Sequence, residues 1–136
     1  MSQTRDNPDQ AMEAFAEDAL AVQTATDRRD YSAVHFGILQ HIGRSTNGAT
    51  PGDLAARWKS SATGISRILA AMDKAGHVGA VLDERDRRVR RYFLTDAGFD
   101  LIARWFEAKG YTAEVISGVR AKFALTNPFM KGKKRG

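Results

Sequence analysis

Two short helical patterns joined by a small turn constrain the fold of this chain more than any other feature. The first pattern begins at Thr50, a good N-cap, with Pro51 at the first helical position and Asp53 where a capping-box acid stands. The turn reads KSSA, and the second pattern ends at Gly76 with four apolar residues facing inward, Ile65, Ile68, Leu69 and Met72. Two helices joined in this way match a helix-turn-helix.

The second of these helices presents a polar outer face. With its apolar residues inward, the 3.6-residue period leaves five positions facing outward: Thr63, Ser66, Arg67, Ala70 and Lys74. Short polar groups of this kind can enter a DNA major groove and reach base edges or phosphates. We expect Arg67 to be the best candidate for reading guanine.

An arginine-rich turn follows directly, in LDERDRRVRRYFLTDAG (82–98). It holds five arginines between Arg85 and Arg91, and the flanking runs HVGAVL and VRRYFLT indicate a β-hairpin. A hairpin behind a recognition helix forms a wing whose arginines suit a narrow minor groove. We expect Asp83, Glu84 and Asp86 to offset part of the repulsion, with Asp86 orienting Arg88. The alternative is a solvated turn with surface ion pairs worth about 0–1 kcal/mol each.

The remaining patterns predict a mainly α (α+β) chain. Helices are expected over Asp9–Thr26, over 31–43 with Gly43 at its end, and after Thr95, with a break at Gly110. The predicted organisation is an N-terminal dimerisation helix (1–30), a winged helix-turn-helix DNA-binding domain (31–98), C-terminal dimerisation helices (99–126) and a basic flexible tail (127–136).

Charge is divided unevenly along the 136 residues. The net charge is +5, but residues 1–30 carry seven acids and three bases, so the rest of the chain carries +9. A basic body of this kind favours a polyanion partner.

Several classes of protein are disfavoured. Cysteine is absent, no apolar run is long enough to span a bilayer, and the first residues lack a signal-peptide pattern. His35, His41 and His77 lack metal-ligand spacing, and no phosphate loop or nucleophile motif is present. The sequence therefore predicts a cytoplasmic protein with no cofactor, no metal and no enzymatic activity.

The order of these motifs resembles the MarR family of winged helix-turn-helix transcriptional regulators. The resemblance covers about residues 31–98 and depends on Asp86-Arg87-Arg88 followed after five residues by Leu94-Thr95-x-x-Gly98. It implies a homodimer that binds pseudo-palindromic operators, mostly as a repressor, and in many members responds to small aromatic effectors. It also implies that Asp86 orients a minor-groove Arg88. The region after Thr95 is short for the family, which puts the form of the dimer in doubt.

The predicted function is sequence-specific binding of double-stranded DNA by a transcriptional regulator, with repression as the expected outcome. The predicted DNA-binding residues are Lys59, Ser61, Thr63, Ser66, Arg67, Arg85, Asp86, Arg87, Arg88 and Arg90. Two alternatives stay open: a plasmid, phage or nucleoid DNA-binding accessory protein of low specificity, and a winged-helix protein-interaction module.

An effector pocket is a further expectation, with Tyr31, His35, Phe36 and Trp105 as its residues. The competing interpretation, which the sequence favours, makes these aromatics core and dimer contacts. Six apolar side chains are expected to present more apolar surface than one small monomer can bury: Phe15, Leu20, Leu101, Trp105, Ile116 and Phe123. This surplus predicts a two-fold homodimer.

Overall fold

The computed structural model describes residues 8–25 and 31–130. Within these ranges, six helices and two strands follow in the order α1 (Pro8–Ala25), α2 (Ala33–Arg44), α3 (Pro51–Trp58), α4 (Ala62–Lys74), β1 (Val78–Leu82), β2 (Arg90–Leu94), α5 (Asp96–Ala108) and α6 (Ala113–Ala124). This is the helix-rich winged helix-turn-helix that the sequence predicts, with its strands in an antiparallel pair.

Helix α2 forms the centre of the fold because its apolar residues cover more than one face. Its buried side chains meet the inner face of α4, the base of the hairpin and the start of α5, in one core that includes Ile38, Leu39, Ile42, Leu54, Ile65, Leu69, Met72, Leu94 and Phe99. Apolar residues at helical spacing on α4 therefore hold its opposite, polar face outward.

The hairpin pairs in a register that runs from Val78 opposite Leu94 to Leu82 opposite Arg90. Tyr92 also exchanges two backbone hydrogen bonds with Ala49, at 2.9 and 3.0 Å. This bridge, which the sequence pattern did not indicate, ties the wing to the segment that leads into α3.

The terminal helices pack together within one chain. Helix α1 lies against α5, and Lys109 donates to Asp18 over 2.7 Å at the end of that contact. This bond raises the pKa of the Lys109 ammonium. Gly110, at φ +92°, ends the α5 segment as predicted, because glycine adopts this backbone region without strain.

The sequence predicts that α2 ends at Gly43, but the structure shows that it does not. The helix continues to Arg44, and Gly43 is buried inside it. A Cβ at this position would come within 2.6 Å of the Phe123 ring. Gly43 is therefore required for the close approach of α6. It is not the residue that ends α2, because the C-cap is Ser45.

The predicted flexible tail does not include residues 127–130. Asn127 and Met130 are buried, and Phe129 contacts Phe93 edge to face with ring centroids 6.3 Å apart. Residues 127–130 are thus packed on the hairpin base, whereas 131–136 lie outside the described residues.

The expected surplus of apolar surface is smaller than predicted. Leu101, Ile116 and Phe123 are buried within one chain, whereas Leu20 is mostly exposed and Trp105 is partly buried. The side chain of Phe15 lies outside the described part of the structure. Of the six residues, Leu20 and Trp105 are therefore the ones whose described side chains still leave apolar surface for a dimer contact.

Candidate nucleic-acid interface

A strained residue sets the turn between α3 and α4. Lys59 has φ 50° and ψ 47°, and it is the single non-glycine residue with positive φ in the described ranges 8–25 and 31–130. This left-handed conformation costs roughly 1–2 kcal/mol for a residue with a Cβ. It ends α3 within one residue and places the start of α4 beside it, with the Lys59 side chain exposed.

Side-chain caps fix both helices of this unit. Thr50 Oγ1 accepts a hydrogen bond from the Asp53 backbone N–H over 3.1 Å, and Asp53 accepts in return from the Thr50 backbone N–H over 3.3 Å. The predicted capping box is therefore present. At the start of α4, Ser61 Oγ accepts from the Gly64 backbone N–H over 2.9 Å. Ser61 therefore stabilises the helix start and still has its hydroxyl proton to donate.

The exposed face of α4 carries the predicted contact residues. Thr63, Ser66 and Arg67 are exposed, whereas Ile65 and Leu69 on the opposite face are buried. A Cβ on Gly64 would lie 3.1 Å from Ser61 Oγ. Crowding at the cap therefore favours glycine here independently of any approach to a ligand.

The end of α4 leads directly into the wing. Gly76, at φ +84°, lets the His77 backbone N–H donate to Met72 O and its own N–H to Asp73 O, both over 2.9 Å. This is a Schellman arrangement. Thr95 then donates its hydroxyl to Gly76 O over 2.6 Å. The base of the hairpin is therefore fixed to the end of α4.

At the tip of the wing, two carboxylates organise the arginines. Asp86 accepts from Arg88 Nε over 3.0 Å and from Arg88 Nη2 over 3.1 Å, a two-point contact of the kind the sequence predicts. It also accepts from the Arg88 backbone N–H over 3.1 Å. The Arg88 guanidinium, followed by this backbone bond, holds the pKa of Asp86 below its usual value, and the contact raises the pKa of Arg88.

Asp83 has a role that the sequence did not reveal. It accepts from Arg91 Nε over 2.7 Å and from the backbone N–H groups of Arg85 and Asp86 at 3.0 and 2.9 Å. The Arg91 side-chain bond is the first cause of its lowered pKa. Arg91 also donates to Asn47 O over 3.3 Å. The hairpin register places residues 83 and 91 near one another, and this spacing is the signal that could have found the pair.

The arginines thus divide into two groups. Arg91 is held by Asp83 against the fold, whereas Arg85, Arg87, Arg88 and Arg90 are exposed. The Arg88 side chain remains 90% accessible even while Asp86 contacts it. The tip therefore presents four guanidinium groups to solvent, and one of them, Arg88, is contacted by a carboxylate.

The four residues expected around an effector pocket separate into two places. Phe36 and Trp105 line a cavity of about 200 Å³ between α1, α2 and α5, together with Asp18, Val22 and Ile102. Tyr31 instead donates or accepts a 2.8 Å hydrogen bond with His77 Nδ1 and stacks on His35. His35 Nδ1 accepts from the Ser32 backbone N–H over 3.1 Å, at the start of α2.

Two features of other protein classes are absent from the described residues. Across 8–25 and 31–130, no helix is long and apolar enough to cross a membrane. Within the same part of the chain, histidine and acidic side chains do not gather in any group of three that could hold a metal ion.

Comparisons with known proteins agree with this architecture. Residues 24–89 match the model of the MarR family. The transcriptional activatory protein BadR of Rhodopseudomonas palustris is 33% identical over 76 residues, which are 54% of this chain and 43% of BadR. This chain thus aligns with less than half the length of that relative.

Solved structures share the fold at lower identity. A MepR mutant of S. aureus bound to an oligodeoxyribonucleotide superposes with a TM-score of 0.62 and 16% identity, covering 84% of this chain and 89% of that one. A MarR mutant of E. coli in complex with operator DNA gives 0.59 and 20%, covering 81% and 76%. The motifs, the wing geometry and the family match over residues 24–89 together assign the winged helix-turn-helix of this chain to the MarR family of transcriptional regulators.

Proposed function

We propose that this protein regulates transcription by binding double-stranded DNA through α4 and the wing. The observation that carries the proposal is the Asp86–Arg88 contact, which aims an almost fully exposed guanidinium from a hairpin fixed to the recognition helix. Because a solvated surface pair contributes little to stability, we attribute to this contact the orientation of Arg88 toward a DNA partner.

In the proposed complex, α4 lies in the major groove. Thr63, Ser66 and Arg67 face base edges, and Lys59 and Ser61 contact the backbone at the helix start. The wing follows the adjacent minor groove, with Arg88 inserted and the remaining exposed tip arginines on phosphates. Backbone contacts supply affinity and the α4 contacts supply sequence choice.

We also propose a two-fold homodimer as the DNA-bound form. Apolar side chains remain exposed on the terminal elements, including Met12 and Leu20 on α1, Val115 on α6 and Leu125 after it. A symmetric dimer would cover such residues and present two wings to half-sites about 34–36 Å apart.

Two variants of the wing test the proposal by fluorescence anisotropy with operator DNA selected from a random pool. Arg88→Ala is expected to weaken binding by about ten- to a hundredfold and to reduce the salt slope by about 1. Lys122→Ala removes one charge from α6, away from the wing, and is expected to bind as the parent protein does. Equal losses in both variants would show that only net charge matters.

Asp86→Asn separates orientation from charge. The change makes the wing more positive, so net charge alone predicts tighter binding, whereas loss of the Arg88 contact predicts weaker binding. We expect weaker binding to the selected operator. Tighter binding to all DNA would contradict an aimed Arg88.

The random-pool selection itself distinguishes the alternatives. A two-fold symmetric motif is expected for a dimeric regulator, and an enriched pool without a motif would instead favour a low-specificity accessory protein. No retention of DNA would favour a protein-interaction module. Repression by occupying a promoter is our proposal for the outcome, and in vitro transcription tests its sign, since the relative BadR is named an activatory protein.

A small-molecule effector is a second proposal that the cavity between α1, α2 and α5 favours. Phe36 and Trp105 both line it, so an aromatic ligand there would contact an indole. Titration of candidate aromatic compounds is expected to change Trp105 fluorescence in the parent protein and to leave a Trp105→Phe variant without that change.

A further inference from the structure

The base of the wing is covered on both of its faces. Tyr92 and Leu94 of β2 belong to the core. Because successive residues of a strand point to opposite faces, Phe93 between them lies on the face turned away from that core. Phe93 is nevertheless only 8% exposed. A second packing site therefore exists on the outer face of the hairpin.

Two segments outside the hairpin form this site. Phe129, which follows α6, meets the Phe93 ring edge to face with the ring centroids 6.3 Å apart. Gly48, in the loop between α2 and α3, lies so close that a Cβ on it would be 2.8 Å from Phe93 Cζ. Together with Gly79 of β1 these residues make up the outer cluster: Gly48, Gly79, Phe93 and Phe129.

Gly79 matches the position of the Phe129 ring. It pairs with Phe93 across the hairpin. The three atoms nearest to a Cβ on Gly79 all belong to that ring, at 2.8, 2.9 and 3.2 Å. Glycine weakens a strand because it has no side chain to pack, and it often marks a place where another part of the chain approaches closely. The Phe129 ring thus occupies the space that a side chain at position 79 would take.

The chain on either side of Phe129 is held in place. Asn127 and Met130 are buried, and the Met130 backbone N–H donates to Asn127 O over 2.9 Å. This turn presents Phe129 to the outer face of the hairpin while its neighbours are enclosed. Because the Phe129 side chain stays 39% exposed, its burial contributes less to stability than that of a core aromatic residue.

A small rotation at the base of the hairpin is amplified at its tip. Five residues at about 3.4 Å each place the tip about 17 Å from Gly79. A rotation of the base by about 10° would then move the tip by about 3 Å, which is the length of a hydrogen bond. A two-stranded hairpin is only marginally stable alone in water, so its direction depends on what packs against its base.

We propose that Phe129 is a positioning residue for the wing. By packing on Gly79 and Phe93 it holds the hairpin at the angle at which Arg88 meets DNA, although it lies at the base and not at the tip. The segment 125–130 thereby couples the end of α6 to the wing. This inference rests on the proposed binding of DNA by the wing.

The first test is fluorescence anisotropy with the selected operator, at a temperature at which circular dichroism shows each variant to be folded. Phe129→Ala is expected to weaken binding about three- to tenfold, whereas Phe129→Tyr keeps the ring and is expected to bind as the parent protein does. Leu125→Ala is the matched control, because Leu125 lies in the same segment and is 85% exposed. Equal losses in Phe129→Ala and Leu125→Ala would refute a role specific to Phe129.

The competing explanation is that Phe129 contributes only stability, and a double-mutant cycle separates the two. The loss of affinity caused by Arg88→Ala is expected to be at least about threefold smaller in the Phe129→Ala background, because a wing at the wrong angle has already lost that contact. The loss caused by Arg67→Ala on α4 is expected to be the same in both backgrounds. An Arg88→Ala loss that also stays unchanged would overturn the proposal.

Gly79→Ala tests the same contact from the hairpin side. In the parent protein it is expected to weaken operator binding, because the new Cβ displaces the Phe129 ring. In the Phe129→Ala background, where the ring is absent, it is expected to cause no further loss. Additive losses in the double variant would contradict a shared contact.

Hydrogen exchange of the free protein keeps this inference distinct from the proposed function. If the parent protein binds no DNA, the proposed function fails, but the position of the wing is still measurable. Phe129→Ala is expected to speed amide exchange in β1 and β2 relative to α3, with Leu125→Ala unchanged. Exchange in the two strands that does not differ from the parent protein would overturn the positioning role.

Discussion

Asn127 joins three parts of the chain through one buried amide. Its Oδ1 accepts from the Leu94 backbone N–H, and its Nδ2 donates to Gly43 O and Phe123 O, each over 2.8 Å. Thr95 N–H donates to His77 O across the hairpin, so in the alternating antiparallel pattern the Leu94 N–H points away from β1. Asn127 therefore satisfies an edge of β2 that the hairpin leaves open.

The cost of replacing Asn127 by alanine follows from the groups left behind. Phe123 O keeps the Thr126 N–H as a donor, at 3.1 Å. The Leu94 N–H and Gly43 C=O would lose the side-chain partner shown for each. At about 1–3 kcal/mol for each buried unsatisfied group, the loss is about 2–6 kcal/mol. A domain of this kind is stable by about 5–15 kcal/mol, so the variant is expected to be strongly destabilised.

Urea unfolding followed by far-UV circular dichroism measures this change. Asn47→Ala is the matched control, because Asn47 is exposed in a loop and its side chain makes no hydrogen bond that the structure describes; it is expected to change stability by less than about 0.5 kcal/mol. Asn127→Asp keeps an acceptor for Leu94 but loses the donor to Gly43, so it is also expected to be destabilised. If Asn127→Ala unfolds within about 0.5 kcal/mol of the parent protein, the reasoning from buried partners is refuted.

Three further predictions concern single positions. Gly43→Ala is expected to destabilise the protein by about 1–3 kcal/mol through overpacking, whereas Gly118→Ala, with open space around it, is expected to stabilise α6 by up to about 1 kcal/mol. Urea unfolding of both variants measures the two changes, and equal effects on stability would contradict the prediction. Thr95→Ala removes the α5 cap and is expected to cost about 0.5–2 kcal/mol in thermal unfolding, with Thr95→Ser close to the parent protein. Carboxyl carbon NMR is expected to show that the pKa values of Asp83 and Asp86 in the folded protein lie below the usual value of about 3.9. Because the unfolded chain then binds more protons, the contribution of these carboxylates to folding stability is complete above about pH 4 and is lost as the pH falls through the folded pKa. A folded pKa at or above about 3.9 would contradict this.

Local patterns were sufficient for the elements and for their order. The Thr50–Asp53 capping box, the stop at Gly76 and the wing position are consequences of chemistry within a few residues, so the sequence contains them in full. The Asp86–Arg88 contact is also local, because the two residues are separated by one position. The assignment of individual residues to DNA contacts stays a prediction.

Long-range packing decided the features that the sequence reading missed or misplaced. Gly43 looks like a helix end, but its role depends on Phe123, which is 80 positions away, and Asn127 looks like part of a basic tail until β2 and α2 close around it. Arg91 looks like its neighbouring arginines, yet Asp83 and Asn47 draw it inward. The sequence alone determined which segments are helix, strand and turn, because those depend on short-range period and capping. Only the tertiary structure determined which glycine is a contact, which asparagine is buried and which arginines remain exposed, because burial and hydrogen bonding depend on residues that are distant along the chain.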